Sequence, residues 1–245
     1  RTLSNAFSLT PITGAATLVT TAGAAFAIVK IRNRYARDEA YLGVTPGLSP
    51  HADQKEHIGF LPDDLNVAVQ FHPPKNATPG EIGTLMDANA DFIDVSSSII
   101  DLAVRGYLVI TAQKDGDHLL TRTEKDQREL AYYERKLLSR LFQSGDEVTL
   151  KELGDEKYDG LDSEIRELLY QRVAELGWFR ENPKSMRWSG IAAGFFIIAA
   201  GCLLSLVLGY GIGWGLVCLT VAAVGIAVLM MYGKFGKRTA KGSAA

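Results

Sequence analysis

The sequence predicts an α+β membrane protein: three transmembrane α-helices plus a cytoplasmic domain of tandem winged-helix-like units. Three observations carry that class. The 245 residues have a formal net charge of only −2, yet all 28 acidic residues fall between Asp38 and Glu181. Residues 2–29 and 188–233 hold no charged side chain at all. Between these apolar blocks, hydrophobic residues recur at helical and strand periods, punctuated by Gly, Pro and Asp-Gly. A soluble globule mixes charge along its chain; this one segregates it, as a hydrocarbon core demands.

Residues 11–29, 189–208 and 214–232 are the expected spans. At about 1.5 Å per residue each reaches roughly 27–30 Å, the thickness of the hydrocarbon core. The link Gly209-Tyr210-Gly211-Ile212-Gly213 is short enough to force the last two into an antiparallel hairpin. Its alternating glycines lack the preceding strand and ribose partner of a nucleotide-binding loop, so that reading is rejected. Small residues recur where helix backbones could approach closely: Gly190, Gly194, Gly201, Ser205 and Gly209, with Thr13 and Thr17 in the first span. These are the expected membrane-helix packing residues, against each other or against another membrane protein.

Basic residues flank the spans on one side: Lys30, Arg32, Arg34 and Arg37 after the first, Lys184 and Arg187 before the second, and Lys234, Lys237 and Arg238 after the third. The hairpin turn has none. The positive-inside rule therefore expects a multi-pass protein of the inner or plasma membrane, with the central domain and C-terminal tail cytoplasmic and the N-terminus outside. The basic residues set topology and attract lipid headgroups; no lipid-specific site is read from them. The absence of an initiator Met and of a basic n-region, and the Gly-Ser-Ala-Ala ending, lead us to expect a piece of a longer protein. Cys202 and Cys218, both within spans, are expected to be inert.

Expected segments are an extracytoplasmic stub and first span (1–31), a cytoplasmic connector (32–64), a first winged-helix-like unit (65–123), a second (124–183), the two-helix hairpin (184–233) and the start of a cytoplasmic tail (234–245). In the first unit, residues 65–71 alternate like a strand and meet Pro73-Pro74. A helix over 79–86 follows, with Thr78 as cap and Pro79 in its first position. Asp94 is the expected N-cap of a helix burying Val95, Ile99, Leu102 and Ala103, which Gly106 ends with Tyr107 packing back. Strands over 107–112 and 118–122 flank Lys114-Asp115-Gly116-Asp117, a hairpin signal. The order helix, helix, strand, turn, strand is that of a winged helix. The second unit is read as a helix over 124–142, an extended piece over 148–150 and a helix over 161–176. Gly177-Trp178-Phe179 then echoes Gly106-Tyr107-Leu108.

The runs Pro79-Gly80-Glu81-Ile82-Gly83 and Leu102-Ala103-Val104-Arg105-Gly106-Tyr107-Leu108 resemble the YciQ-like predicted membrane protein family, a bacterial family of unknown function. The resemblance covers roughly residues 34–245. It implies one span, a winged-helix-like cytoplasmic region and a two-span hairpin, with an extracytoplasmic β-rich domain before residue 1 and a further cytoplasmic tail after 245. It brings no catalytic residues.

No catalytic, cofactor or metal site is expected. The chain lacks G-x-S-x-G, H-E-x-x-H, P-loop and C-x-x-C patterns. His51, Asp53, Glu56 and His57 do not have ligand spacing. Residues 38–181 carry 15 basic and 28 acidic side chains, a net of −13 that argues against nucleic acid. The expected function is that of a non-enzymatic scaffold or accessory subunit presenting an acidic module. Its partners are membrane lipid and other membrane protein subunits, or a second copy of itself. The alternative is a membrane-tethered regulator binding nucleic acid through the wing around Lys114 and Arg122.

Overall fold

A computed structural model describes residues 6–44, 50, 57–61 and 77–244. The elements run α1 (Pro11–Tyr35), β1 (Glu39–Tyr41), β2 (Ile58–Phe60), α2 (Pro79–Asp87), α3 (Phe92–Val104), β3 (Leu108–Ala112), β4 (His118–Arg122), α4 (Tyr132–Leu141), β5 (Glu147–Thr149), α5 (Leu161–Glu175), α6 (Pro183–Ile212), α7 (Gly215–Met231) and α8 (Ala240–Ala244). Fold class is mixed helix and sheet. Three helices are long and apolar enough to cross a membrane, starting at Pro11, Pro183 and Gly215. The expected strand over 65–71 and the Pro73-Pro74 stop lie outside the described residues.

The first two spans outrun their apolar sequence. Helix α1 continues past Val29 to Tyr35, and α6 begins six residues before Ser189, capped by the Asn182 side chain with Pro183 in its first turn. Both helices therefore carry their basic residues beyond the apolar run on continuous helix. Gly213 ends α6 at φ +86, where only glycine is unstrained.

Small residues decide how α6 meets α7. A Cβ at Gly201 would stand 2.5 Å from the Ala222 nitrogen, and one at Gly194 would press into Leu229 and the Gly225 carbonyl. Gly190 accommodates the Phe235 ring, and Gly209 sits against Gly215. The Ser205 hydroxyl donates to the Gly215 carbonyl at 2.8 Å, which satisfies it inside an apolar interface. This stripe is thus consumed within the hairpin. Helix α1 also packs on α7, with Thr13 and Thr17 bonded within its own turns: Thr17 Oγ1 donates to the Thr13 carbonyl at 2.7 Å.

Elements from both expected units meet in one sheet and one core. Strand β5 pairs with β4, so the sheet order is β3-β4-β5. Leu120 opposes Val148 in that register and both are buried. A single core joins Val95 and Leu102 of α3 with Leu137, Leu138 and Leu141 of α4 and Ile165 and Leu169 of α5. The boundary placed between residues 123 and 124 thus runs through one sheet and one core, because the open edge of β4 recruits the next extended piece. The Gly-aromatic echo is helix-ending geometry. Gly106 and Gly177 have φ of +79 and +74, and the amides of Tyr107 and Trp178 reach back to the carbonyls of Leu102 and Val173.

Two element boundaries differ from expectation. Asp91, not Asp94, is the N-cap of α3, accepting from the amides of Ile93 and Asp94; Asp94 is the third residue of the reciprocal capping box. The helix expected over 124–142 begins only at Tyr132. Residues 124–131 offer little apolar surface, Asp126 binds the Arg128 amide locally, and a turn there buries Leu130 in the core.

After the third span the chain packs back: Phe235 and Lys237 are buried, and α8 packs on β1. Arg238 forms a bridge with Phe179 and accepts the Glu39 amide on its carbonyl at 3.0 Å. Three segments that follow three different helices are thus stitched together where the spans end.

Gly201→Leu should lower the unfolding free energy of the detergent-solubilised protein by about 1–3 kcal/mol through overpacking against Ala222. Gly211→Leu, which meets open space, should be nearly neutral. Thermal unfolding of the two variants side by side checks this; equal losses would place the hairpin contact elsewhere.

Candidate functional site

The two family-like runs converge on one polar cleft of about 640 Å³, lined by Thr78, Glu81, Asp101, Arg105, Glu134 and Arg172 among others. Thr78 caps α2, and Pro79 starts it. Glu81, buried in its third position, accepts the Thr78 amide at 2.8 Å on one oxygen and Arg172 Nε at 2.8 Å on the other. Glu134 repeats the device on α4. It accepts the Ala131 amide at 2.8 Å and holds the Arg105 guanidinium, which also meets Asp101 at 2.6 Å. Tyr133 and Thr78 share a 2.5 Å hydroxyl contact across the cleft, and burial pushes the Tyr133 phenol above its ordinary range.

This arrangement holds helices together. Each buried glutamate caps one helix and grips an arginine from another. Leu102 and Leu108 lie in the core, with Ala103 packed against it and Tyr107 buried. Gly106 supplies the left-handed turn. Gly80 and Gly83 instead let two helices meet, since a Cβ at either would collide with α3, at Ser98 and at the Asp94 carboxylate respectively.

Asp94 is the unusual group. It is buried, and desolvation, with smaller contributions from the charges of Asp91 and Asp87, raises its carboxyl from 3.8 to about 6 against opposing hydrogen bonds from the Asp91 amide and Thr84. Thr84 Oγ1 lies 3.1 Å from Asp94 Oδ2 and 2.9 Å from the Gly80 carbonyl. One hydroxyl proton cannot serve both acceptors, whereas a protonated Asp94 donates to Thr84 while Thr84 donates to Gly80.

The expected headgroup residues divide into two sets. Arg187 turns toward the domain, donating to the carbonyls of Asp87 and Ala88 and to Asn89 Oδ1, where it satisfies the end of α2. Lys184 pairs with Glu167 at 2.7 Å. Lys237 is buried and pairs with Glu39 at 2.8 Å; Arg238 pairs with Asp38 at 3.2 Å. Arg187 and Lys184 fasten the domain to the second span, and Lys237 and Arg238 fasten the chain after the third span to the chain after the first. Lys30, Arg32, Arg34 and Lys234 remain exposed, and the Arg37 guanidinium lies over the Phe60 ring.

Sequence reasoning missed Asp38 and Glu39, although they are the first carboxylates after the first span and follow its basic cluster directly. It also missed the outer face of α3. Ile93, Ile100 and Val104 fall on one helical stripe and are 71%, 59% and 81% exposed. Phe92 and, on β3, Val109 are exposed apolar side chains as well. The inward positions of the same helix had accounted for its amphipathicity, which left the second stripe unread.

A family model described as the C-terminal domain of a predicted membrane protein (DUF2207) matches residues 68–245. That description does not carry the YciQ-like name. No curated protein and no solved structure matches the chain.

Two outcomes follow from the cleft and from Asp94. Because the folded protein holds the Asp94 proton more tightly than the unfolded chain, this group favours folding below about pH 4, and that contribution is lost as pH rises through about 6. Asp94→Asn should therefore raise the unfolding temperature relative to the parent at pH 7 and change it little at pH 4. An identical difference at both values would mean the carboxyl is not shifted. Glu81→Ala should cost about 2–3 kcal/mol, since it removes a cap and strands Arg172; denaturant titration at fixed pH reads this, and a loss below about 0.5 kcal/mol would remove Glu81 from its helix-clamping role.

Proposed function

This chain belongs to the predicted membrane protein family DUF2207, whose C-terminal domain its residues 68–245 match, and from that premise we propose that it is a non-enzymatic scaffold or accessory subunit of a membrane assembly. In this reading the polar domain lies in the cytoplasm and presents a winged-helix-like surface to another membrane protein. The observation that carries it is the exposed apolar stripe Ile93, Ile100 and Val104 on α3, the helix in the recognition position of a winged helix. An apolar patch left open on an otherwise charged domain marks a protein contact.

Charge narrows the partner. The stretch over 38–181 has a net of −13, so two copies repel each other, and a partner with an apolar ridge and a basic rim fits better. The same charge disfavours duplex nucleic acid. The cation at the end of α3, Arg105, is already held by Asp101 and Glu134 rather than offered to a phosphate. The cleft glutamates are committed to helix caps and arginines, which supports a role without chemistry.

The test is extraction from native membranes in mild detergent with a C-terminal tag. A stoichiometric membrane protein should co-purify with the parent and be lost from Ile100→Glu/Val104→Glu, whose unfolding temperature should match the parent because both positions are exposed. A monomeric, partnerless parent, or a partner retained by the double variant, would overturn the assignment.

A further inference from the structure

Where α1 and α6 emerge from their apolar runs, a cavity of about 410 Å³ opens between them. Lys30, Asn33 and Arg34 line it from α1; their spacing of three and four residues puts them on one helical face. Arg180 and Lys237 line it from the segments after α5 and α7. Behind them, Glu39 Oε1 accepts from both Arg180 Nη2 and Lys237 Nζ, each at 2.8 Å. One carboxylate thus faces two cations. Lys30 and Arg34 form no ion pair among the described residues, and Glu181 is the other acid in the lining. Four cations against two carboxylates make this an anion site.

Its depth in the bilayer identifies the kind of anion. Lys30 is the first charged residue after the uncharged run 2–29, so the cavity sits where lipid phosphates sit. One helical turn deeper, Phe26 is 70% exposed, and Val19, 73% exposed, continues down the same face with Gly23 between them. Nothing stands within 4 Å of a Cβ placed at Gly23. An acyl chain can follow that face while its phosphate occupies the cationic cavity, and a free phosphate ion would use only the upper half of this surface.

We propose that the cavity between α1 and α6 binds the phosphate headgroup of an anionic phospholipid, with Lys30, Arg34, Arg180 and Lys237 as its cations. The assignment requires the spans to cross a membrane and is independent of the scaffold reading. A lipid bound there touches the first span, the α5–α6 link and the chain after the third span at once, so it stabilises the junction of domain and membrane.

The test uses the full chain in neutral detergent, with unfolding followed as phosphatidylglycerol, phosphatidylcholine or inorganic phosphate is added. Saturating phosphatidylglycerol should raise the unfolding temperature by about 5 °C, with little response to the other two. Lys30→Ala/Arg34→Ala, at exposed positions, should unfold like the parent without lipid and bind phosphatidylglycerol at least about tenfold more weakly. Lys234→Ala, exposed and outside the cavity, should respond like the parent. An equal shift from phosphatidylcholine or from inorganic phosphate would overturn the assignment. So would an unaltered response in the double variant, or a loss in Lys234→Ala as large as in the double variant, which would mean diffuse surface attraction.

Discussion

Two adjacent carboxylates, Asp38 and Glu39, hold the polar domain to the membrane helices. They follow α1 directly, and between them they gather Arg180 from the end of the domain and Lys237 and Arg238 from beyond the last span. Hydrocarbon excludes charge, so every basic residue near a span is pushed to the ends of the helices. Once there, cations brought together by three different helices repel unless acids stand among them. Asp38 and Glu39 supply those acids, and the backbone contact of Glu39 with Arg238 makes the junction directional. Lys237 and Glu39 are both largely buried, so losing Glu39 would leave Lys237 a stranded charge, a situation costing about 3–5 kcal/mol.

The same logic of close approach operates on both sides of this junction, in two solvents. Between α6 and α7 there is no hydrophobic drive, and van der Waals contact of backbones must serve, so Gly194, Gly201 and Gly225 are small where the helices touch. Between α2 and α3, water supplies the drive, yet Gly80 and Gly83 are again small, here because α3 brings Ser98 and the Asp94 carboxyl against α2. Burying a carboxyl costs less when it can take up a proton. Thr84 and the Gly80 carbonyl offer a hydrogen-bond arrangement for that protonated form, which is why a glycine pair, a threonine and an aspartate act together.

Much of the secondary structure was legible. Thr78-Pro79 announced α2, Gly106 and Gly177 announced helix ends, and Asp115-Gly116 announced the hairpin, because each is a local backbone preference written in one or two side chains. The boundaries that failed did so where local signals compete. Asp91 and Asp94 can both cap a helix, and only the packing of Asp94 against Gly83 chooses between them. The stretch 124–131 has a helical composition, but Leu130 gains more by entering the core through a turn than by extending α4.

What the sequence determined by itself was everything that depends on short range or on solvent: three apolar helices, the hairpin between the last two, the charge at one set of ends, and the small-residue stripe. Tertiary structure alone decided how those parts were used. It joined β5 to β4 across the boundary expected between residues 123 and 124. It turned Arg187, Lys237 and Arg238 from lipid toward protein, spent the glycine stripe inside the hairpin, and left the outer face of α3 uncovered. The reason is physical. A helix cap or an apolar run is settled by residues within a few positions of each other. A partner for an arginine or an open strand edge is settled by whichever distant segment arrives there, such as Glu39 meeting Lys237 from the far end of the chain.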